Sequence, residues 1–165
     1  MNAQTTVQTL LDFIQQGNFE KTRSLLAEGF RFSGPVPTAL NTKGWLTMSA
    51  SLKAAFPDLD YRFQVIGMDG ARVRTTAQLS GTHTGDLDLS SMMDMGTIPA
   101  TYKSFATALQ RAKLTVADGQ VKDWRFDPGV GTGLLAILQQ LDIYITDVIV
   151  VDRQLWSRPF TVTSE

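Results

Sequence analysis

The chain has 165 residues, 43% hydrophobic and 19% charged, which allows one hydrophobic core, leaves little room for a second domain, and is too apolar for a disordered segment. With 15 Lys and Arg against 16 Asp and Glu, and no basic stripe, no net field gathers a polyanion, so nucleic acid is excluded as a partner. The lack of Cys and the single His exclude disulfides, thiolate metal sites and paired-His metal sites.

Val7, Leu10, Leu11 and Ile14 recur at the spacing of an amphipathic helix that Gly17 ends. Asn18 caps a second, short helix whose apolar side carries Phe19, Leu25 and Leu26, with Gly29 as its terminator. Phe30 and Phe32 alternate with polar neighbours until Gly34-Pro35-Val36-Pro37 breaks the strand. Thr42 is read as the cap of a third helix with Trp45, Met48, Leu52 and Phe56 on one face, stopped by Pro57.

The period then changes to two. Leu59, Tyr61, Phe63 and Val65 share one strand face, Gly67-Met68-Asp69-Gly70 reads as a turn, and Val73, Thr75, Ala77, Leu79, Gly81 and His83 share a face of the returning strand. From Gly85 to Ala100 the pattern dissolves into Gly, Ser, Asp and Met, and Met92, Met93 and Met95 suit a pliable lid. A further strand runs from about Tyr102 to Val116. Asp118-Gly119 marks a hairpin, Val121 to Phe126 returns, and a Gly-rich stretch after Pro128 opens a helix through Leu134, Leu138 and Leu141. Helices followed by a meander of strands give an α+β order.

Residues 143–165 stand apart. Val148-Ile149-Val150-Val151 is β-prone, whereas Tyr144, Val148, Val151 and Leu155 also line a helical face, and both readings stand. Such an apolar extension is expected to pack on its own domain, residues 1–142, or on a second subunit. No apolar run reaches the roughly 20 residues of a membrane span. Met1-Asn2-Ala3-Gln4 lacks the basic and apolar parts of a signal peptide, so a cytoplasmic location and no membrane partner are expected.

Four short segments occur in order: Ala54-Ala55-Phe56-Pro57-Asp58-Leu59, Gly81-Thr82-His83-Thr84-Gly85, Asp118-Gly119 leading to Trp124 and Asp127, and Leu134 to Leu141. By these the chain resembles the SnoaL-like polyketide cyclases, within the nuclear-transport-factor-like superfamily, from about Thr6 to Leu141. The resemblance implies a cone-shaped α+β fold: a strongly curved, mostly antiparallel sheet, helices packed on it, and an internal pocket. It also implies a homodimer through the outer sheet face and an intramolecular aldol closure without metal or organic cofactor. In that chemistry an Asp near the end of the last strand is general acid and base, and Asp127 holds the matching position. Tyr102 stands where such relatives commonly carry Gly, Pro128 to Gly133 is longer than usual, and the segment after Leu141 has no counterpart.

A carboxylate shuttles protons near neutral pH only where an apolar setting raises its pKa, so Asp127 must reach the cavity to act. Alternation places Val121, Asp123, Arg125 and Asp127 on one face and Trp124 and Phe126 on the other. If the aromatics face inward, a bulge or the strand end must turn Asp127. His83, on the apolar face of its strand, is expected to point into the cavity and polarise a carbonyl. Trp45, Tyr61, Phe63, Tyr102 and Trp124 are the expected ligand-binding residues, with Met48 and Phe32 as further apolar walls. Two functions are expected from different classes: a cofactor-independent cyclase or isomerase acting on an enolisable, polyketide-like carbonyl compound, and a non-catalytic module that binds a hydrophobic small molecule or dimerises.

Overall fold

The computed structural model describes residues 2–90 and 96–143. The expectations for a Met92, Met93 and Met95 lid and for the 143–165 extension lie essentially outside them.

Helix α1, Ala3–Gln16, starts where the Asn2 side chain accepts from the Thr5 amide and ends at Gly17, whose φ of 74° lets its N–H reach the Ile14 carbonyl. Its stripe of Val7, Leu10, Leu11 and Ile14 is buried, as the spacing predicts. Helix α2, Phe19–Ser24, is capped by Asn18 but ends earlier than expected: Leu26 already opens strand β1, Leu26–Ser33, and Gly29 lies within that strand. Helix α3, Thr42–Ala55, is capped by Asn41 rather than Thr42, the Asn41 side chain accepting from the Gly44 amide at 2.8 Å.

Among the described residues there are nine strands, the first of them β1. After β1 come β2 Gln64–Asp69, β3 Arg72–Ala77, β4 Ser80–Thr82, β5 Leu87–Asp88, β6 Thr97–Ile98, β7 Ser104–Ala106, β8 Gln110–Ala117 and β9 Gln120–Phe126, before helix α4, Gly133–Gln140. The main sheet has the order β1-β9-β8-β3-β2; only β1 with β9 is parallel, and β4 pairs β7 and β5 pairs β6 in two small ladders. No ladder joins β1 to β2 among the described residues, so the curl is open.

The two long strands expected from Val73 to His83 and from about Tyr102 to Val116 are each broken once. Between β3 and β4, and between β7 and β8, the chain bends at Leu79 and Thr107, which face each other: the Thr107 amide donates to the Leu79 carbonyl at 2.8 Å, and the Leu79 amide donates to Thr107 Oγ1 at 2.9 Å. A side-chain oxygen thus replaces a ladder partner, and the sheet turns without leaving a buried amide unpaired. The segment before β2 is also not a regular strand. Arg62 takes a φ of 46° and interrupts it. The turn after it is tighter than expected, since β2 runs through Asp69 and only Gly70 and Ala71 connect it to β3.

The inner face of the sheet carries Val73, Thr75, Ala112, Leu114, Val121, Trp124 and Phe126, all buried. Helix α1 covers one part of this face, α3 packs on β1 and β5, and α4 packs on β7. The α+β order and the curved, mostly antiparallel sheet with helices on one side agree with the sequence reading.

Candidate functional site

Between α3, α4 and the inner sheet face lies a cavity of about 70 Å³ with almost wholly apolar walls. Its walls follow from local sequence. On α3 the spacing of Trp45, Met48 and Leu52 puts all three on the side facing the sheet. On β9, Trp124 and Phe126 point inward, opposite Phe32 of the parallel neighbour β1, whose Cα is paired with that of Trp124. The rings interlock: Phe32 meets Trp124 edge-on at 5.2 Å between centroids, and Trp45 lies 6.0 Å from Trp124. Such pairs each add about 0.5–1.5 kcal/mol beyond area burial.

The next wall is held by α1. Gln15 Nε2 donates to the Leu59 carbonyl and Gln15 Oε1 accepts from the Tyr61 amide, pinning the irregular segment between α3 and β2. With Arg62 turned out by its positive φ, Tyr61 and Phe63 stack at 4.8 Å and both face the cavity. Burial raises the Tyr61 phenol well above its ordinary pKa, so it stays a neutral donor. The polar groups on the walls are few: Ser49, Tyr61, Thr107, Gln110 and the Trp124 indole. Trp124 is 2% exposed and its Nε1–H has no hydrogen-bond partner.

Of the seven residues singled out from sequence, Trp45, Tyr61, Phe63 and Trp124 line this cavity. Three do not. Tyr102 is 74% exposed, because a φ of 60° swings it out at the bend where relatives commonly carry Gly. Asp127 is exposed on the other side of the sheet, in a cleft it shares with Arg74, Arg111 and Lys113. The reason is the position of the bulge. The β8–β9 register shifts between Thr115 and Val116, which brings Val121 onto the inner face with Trp124 and Phe126, and strict alternation after it leaves Asp127 outward. The bulge lies before the aromatics rather than between Phe126 and Asp127.

His83 is fully buried but is not on the cavity wall. Strand β4 ends at Thr82, and the ring lies 5.4 Å from the Phe56 ring. The Thr101 amide donates to Nδ1 at 3.1 Å, so Nδ1 is unprotonated and the proton of the neutral ring sits on Nε2. Thr101 Oγ1 lies 2.9 Å from the same Nδ1. Burial pushes the imidazole below its ordinary pKa, opposed by the Gly85 carbonyl and the Asp86 charge. The two expected catalytic residues are therefore not brought together. Asp58 serves the fold: its Oδ1 accepts from the Thr82 amide at 2.8 Å, which holds the carboxyl below the usual range.

Residues that sequence reasoning missed are Thr107, Gln110, Leu134, Ile137 and Ser49. Ser49 lies four residues after Trp45 and was legible from that spacing. Thr107 was not, because the bend that aims it interrupts the alternation. Among the described residues no cluster of three His, Cys, Asp or Glu side chains is placed to hold a metal ion, and no helix is long and apolar enough to cross a membrane.

A curved sheet covered by helices on its inner face, with an apolar cavity between them, defines a class of small α+β ligand-cavity proteins. The profile of the SnoaL-like polyketide cyclase family matches residues 4–126, and the chain belongs to that family. Solved structures agree on the fold. IdmH from Streptomyces antibioticus, assigned as a polyketide cyclase, is 24% identical with a TM-score of 0.62, over 86% of this chain and 100% of its own. A protein from Jannaschia sp. CCS1, assigned as a SnoaL-like polyketide cyclase, is 23% identical with a TM-score of 0.61, over 82% and 90%. An LEH-like epoxide hydrolase of M. tuberculosis is 16% identical with a TM-score of 0.55, over 90% and 94%. At such identities the likeness is one of fold. No curated protein sequence matches the chain.

Proposed function

We propose that this chain binds a flat, apolar small molecule carrying a carbonyl group, held in the cavity with the Trp124 Nε1–H as its hydrogen-bond donor. One observation carries the reading: a buried donor without a partner stands on an apolar wall, where leaving it unpaired costs about 1–3 kcal/mol that a ligand carbonyl recovers. The binding reading is preferred over proton abstraction by Asp127. Among the described residues no carboxylate or imidazole lines the cavity, so an enolisable polyketide-like carbonyl compound would meet donors there but no base. The homodimer implied by the family resemblance is assigned to the outer sheet face, where Ile66 is 41% exposed.

The test uses 1-tetralone, a bicyclic ketone with exchangeable protons next to its carbonyl. Calorimetric titration is expected to show saturable binding that Trp124→Phe weakens about 2- to 13-fold, the ratio that a lost hydrogen bond of roughly 0.5–1.5 kcal/mol gives. Absence of binding overturns the proposal. Deuterium exchange at the tetralone α-carbon, followed by NMR, separates the classes. Exchange accelerated by the protein and abolished by Asp127→Asn would replace the binding module with a cyclase or isomerase that uses Asp127 as acid and base.

A further inference from the structure

The inner cavity by itself offers less room than the ligand class just proposed would fill, so part of such a ligand must extend beyond it. An engineered apolar cavity that accepts benzene has on the order of 150 Å³, about twice the 70 Å³ enclosed here. A second hollow, of about 270 Å³, lies against it and is more polar, formed by the loop from Gly34 to Pro37 and the loop from Pro128 to Thr132. The two hollows share five wall residues: Pro35, Val36, Gln110, Gly133 and Leu134.

This shared wall is thin and weakly tied. The Leu134 amide donates to the Pro35 carbonyl at 3.3 Å, beyond the 2.9–3.0 Å or so typical of such bonds. Gly133 allows the approach: its φ is 82°, and a Cβ there would lie 3.2 Å from the same carbonyl oxygen. The Pro128 to Thr132 loop is held from its far side, where the Ala108 amide donates to the Gly131 carbonyl at 3.0 Å, so the Pro35–Leu134 bond is what joins it to the Gly34 to Pro37 loop. Gln110 marks the polar side of the opening. Its Nε2 donates to the Asp127 carbonyl at 3.1 Å, which fixes the amide orientation and leaves Oε1 as the acceptor at the shared wall.

We infer that the cavity and the outer hollow form one binding tunnel divided by the Pro35–Leu134 contact, and that it takes an elongated, flat molecule with a carbonyl at its inner end and a hydroxyl donor at its outer end. The carbonyl meets the Trp124 indole, and the hydroxyl meets Gln110 Oε1. This rests on the binding reading above and adds the shape and polarity of the ligand. It also gives the longer Pro128 to Gly133 segment a role, as one lip of the entrance.

Two measurements test it. The first compares 2-acetylnaphthalene with 6-acetyl-2-naphthol, which differ only by a hydroxyl at the far end from the carbonyl. The naphthol is expected to bind about 3- to 10-fold more tightly, and Gln110→Met to remove that preference. The second exploits the absence of Cys: Val36→Cys is labelled with N-ethylmaleimide at that position alone. The adduct is expected to slow or abolish binding of both compounds, whereas the same adduct on Glu20→Cys, exposed on α2, leaves binding at the wild-type level. If 1-tetralone binds but the hydroxyl brings no gain and the Val36→Cys adduct binds normally, the tunnel is overturned while the binding function stands. If 1-tetralone does not bind, both fall together.

Discussion

His83 shows how one residue can be legible as buried and illegible in role. Its position on an apolar strand face correctly marks it as interior, but whether the ring reaches a cavity depends on where β4 ends, and no local signal gives that. The observed site has a consequence for pH. Because burial lowers the folded-state pKa of His83, the unfolded chain binds the proton first as pH falls. The neutral ring therefore contributes stability that is present above about pH 6.5, the unfolded value, and lost as pH falls through the lowered folded value, at up to about 1.4 kcal/mol per pH unit. Urea midpoints measured from pH 7.5 to 5 are expected to fall for the wild type and to stay flatter in His83→Asn, which keeps an acceptor for Thr101 but does not titrate. Asp127 is the complementary case. Period two alone correctly set it opposite Phe126, and the family motif that singles it out says nothing of which side of the sheet it occupies in this chain.

Among the elements, α3 matters most, since it carries one wall of the cavity. The residue types at its start made a cap evident, although Asn41 rather than Thr42 supplies the oxygen. Asn41→Ala is expected to cost about 1 kcal/mol in chemical denaturation. The other end of α3 is sealed by close backbone contact. The Gly85 amide donates to the Ala55 carbonyl, and a Cβ at Gly85 would sit 2.2 Å from the Ala54 carbonyl oxygen. Gly85→Ala is thus expected to destabilise by about 1–3 kcal/mol, as overpacking does, with a lowered melting temperature as the readout. Regular elements could be read from periodicity because each has one apolar face. The bends at Leu79 and Thr107 could not, for the hydrogen bond that makes them joins residues far apart in sequence.

At the scale of the molecule, the sheet has one covered and one open face. The open face holds Ile66 beside the Asp69–Lys113 ion pair of 2.7 Å, with Arg74, Arg111 and Asp127 around them. If copies of the chain meet there, Ile66→Asp is expected to give a monomer in sedimentation velocity where the wild type gives a dimer; an unchanged sedimentation coefficient would reject that face. Composition and element order were enough for the fold class, whereas the parallel pairing of β1 with β9 had no signal in either strand. That pairing also sets a schedule. Leu26 pairs with Val121, so most of the described chain must be made before β1 acquires its neighbouring strand in the main sheet. Until β9 has left the ribosome, Phe30 has no strand beside it, Phe32 has only its bridge to Leu40, and the ligand cavity has no back wall. Closing so long a loop is slow compared with local hairpin formation. During synthesis the nascent chain is thus expected to hold its central hairpins early and its binding site last, with the two phenylalanines as the surface a chaperone would meet in the interval.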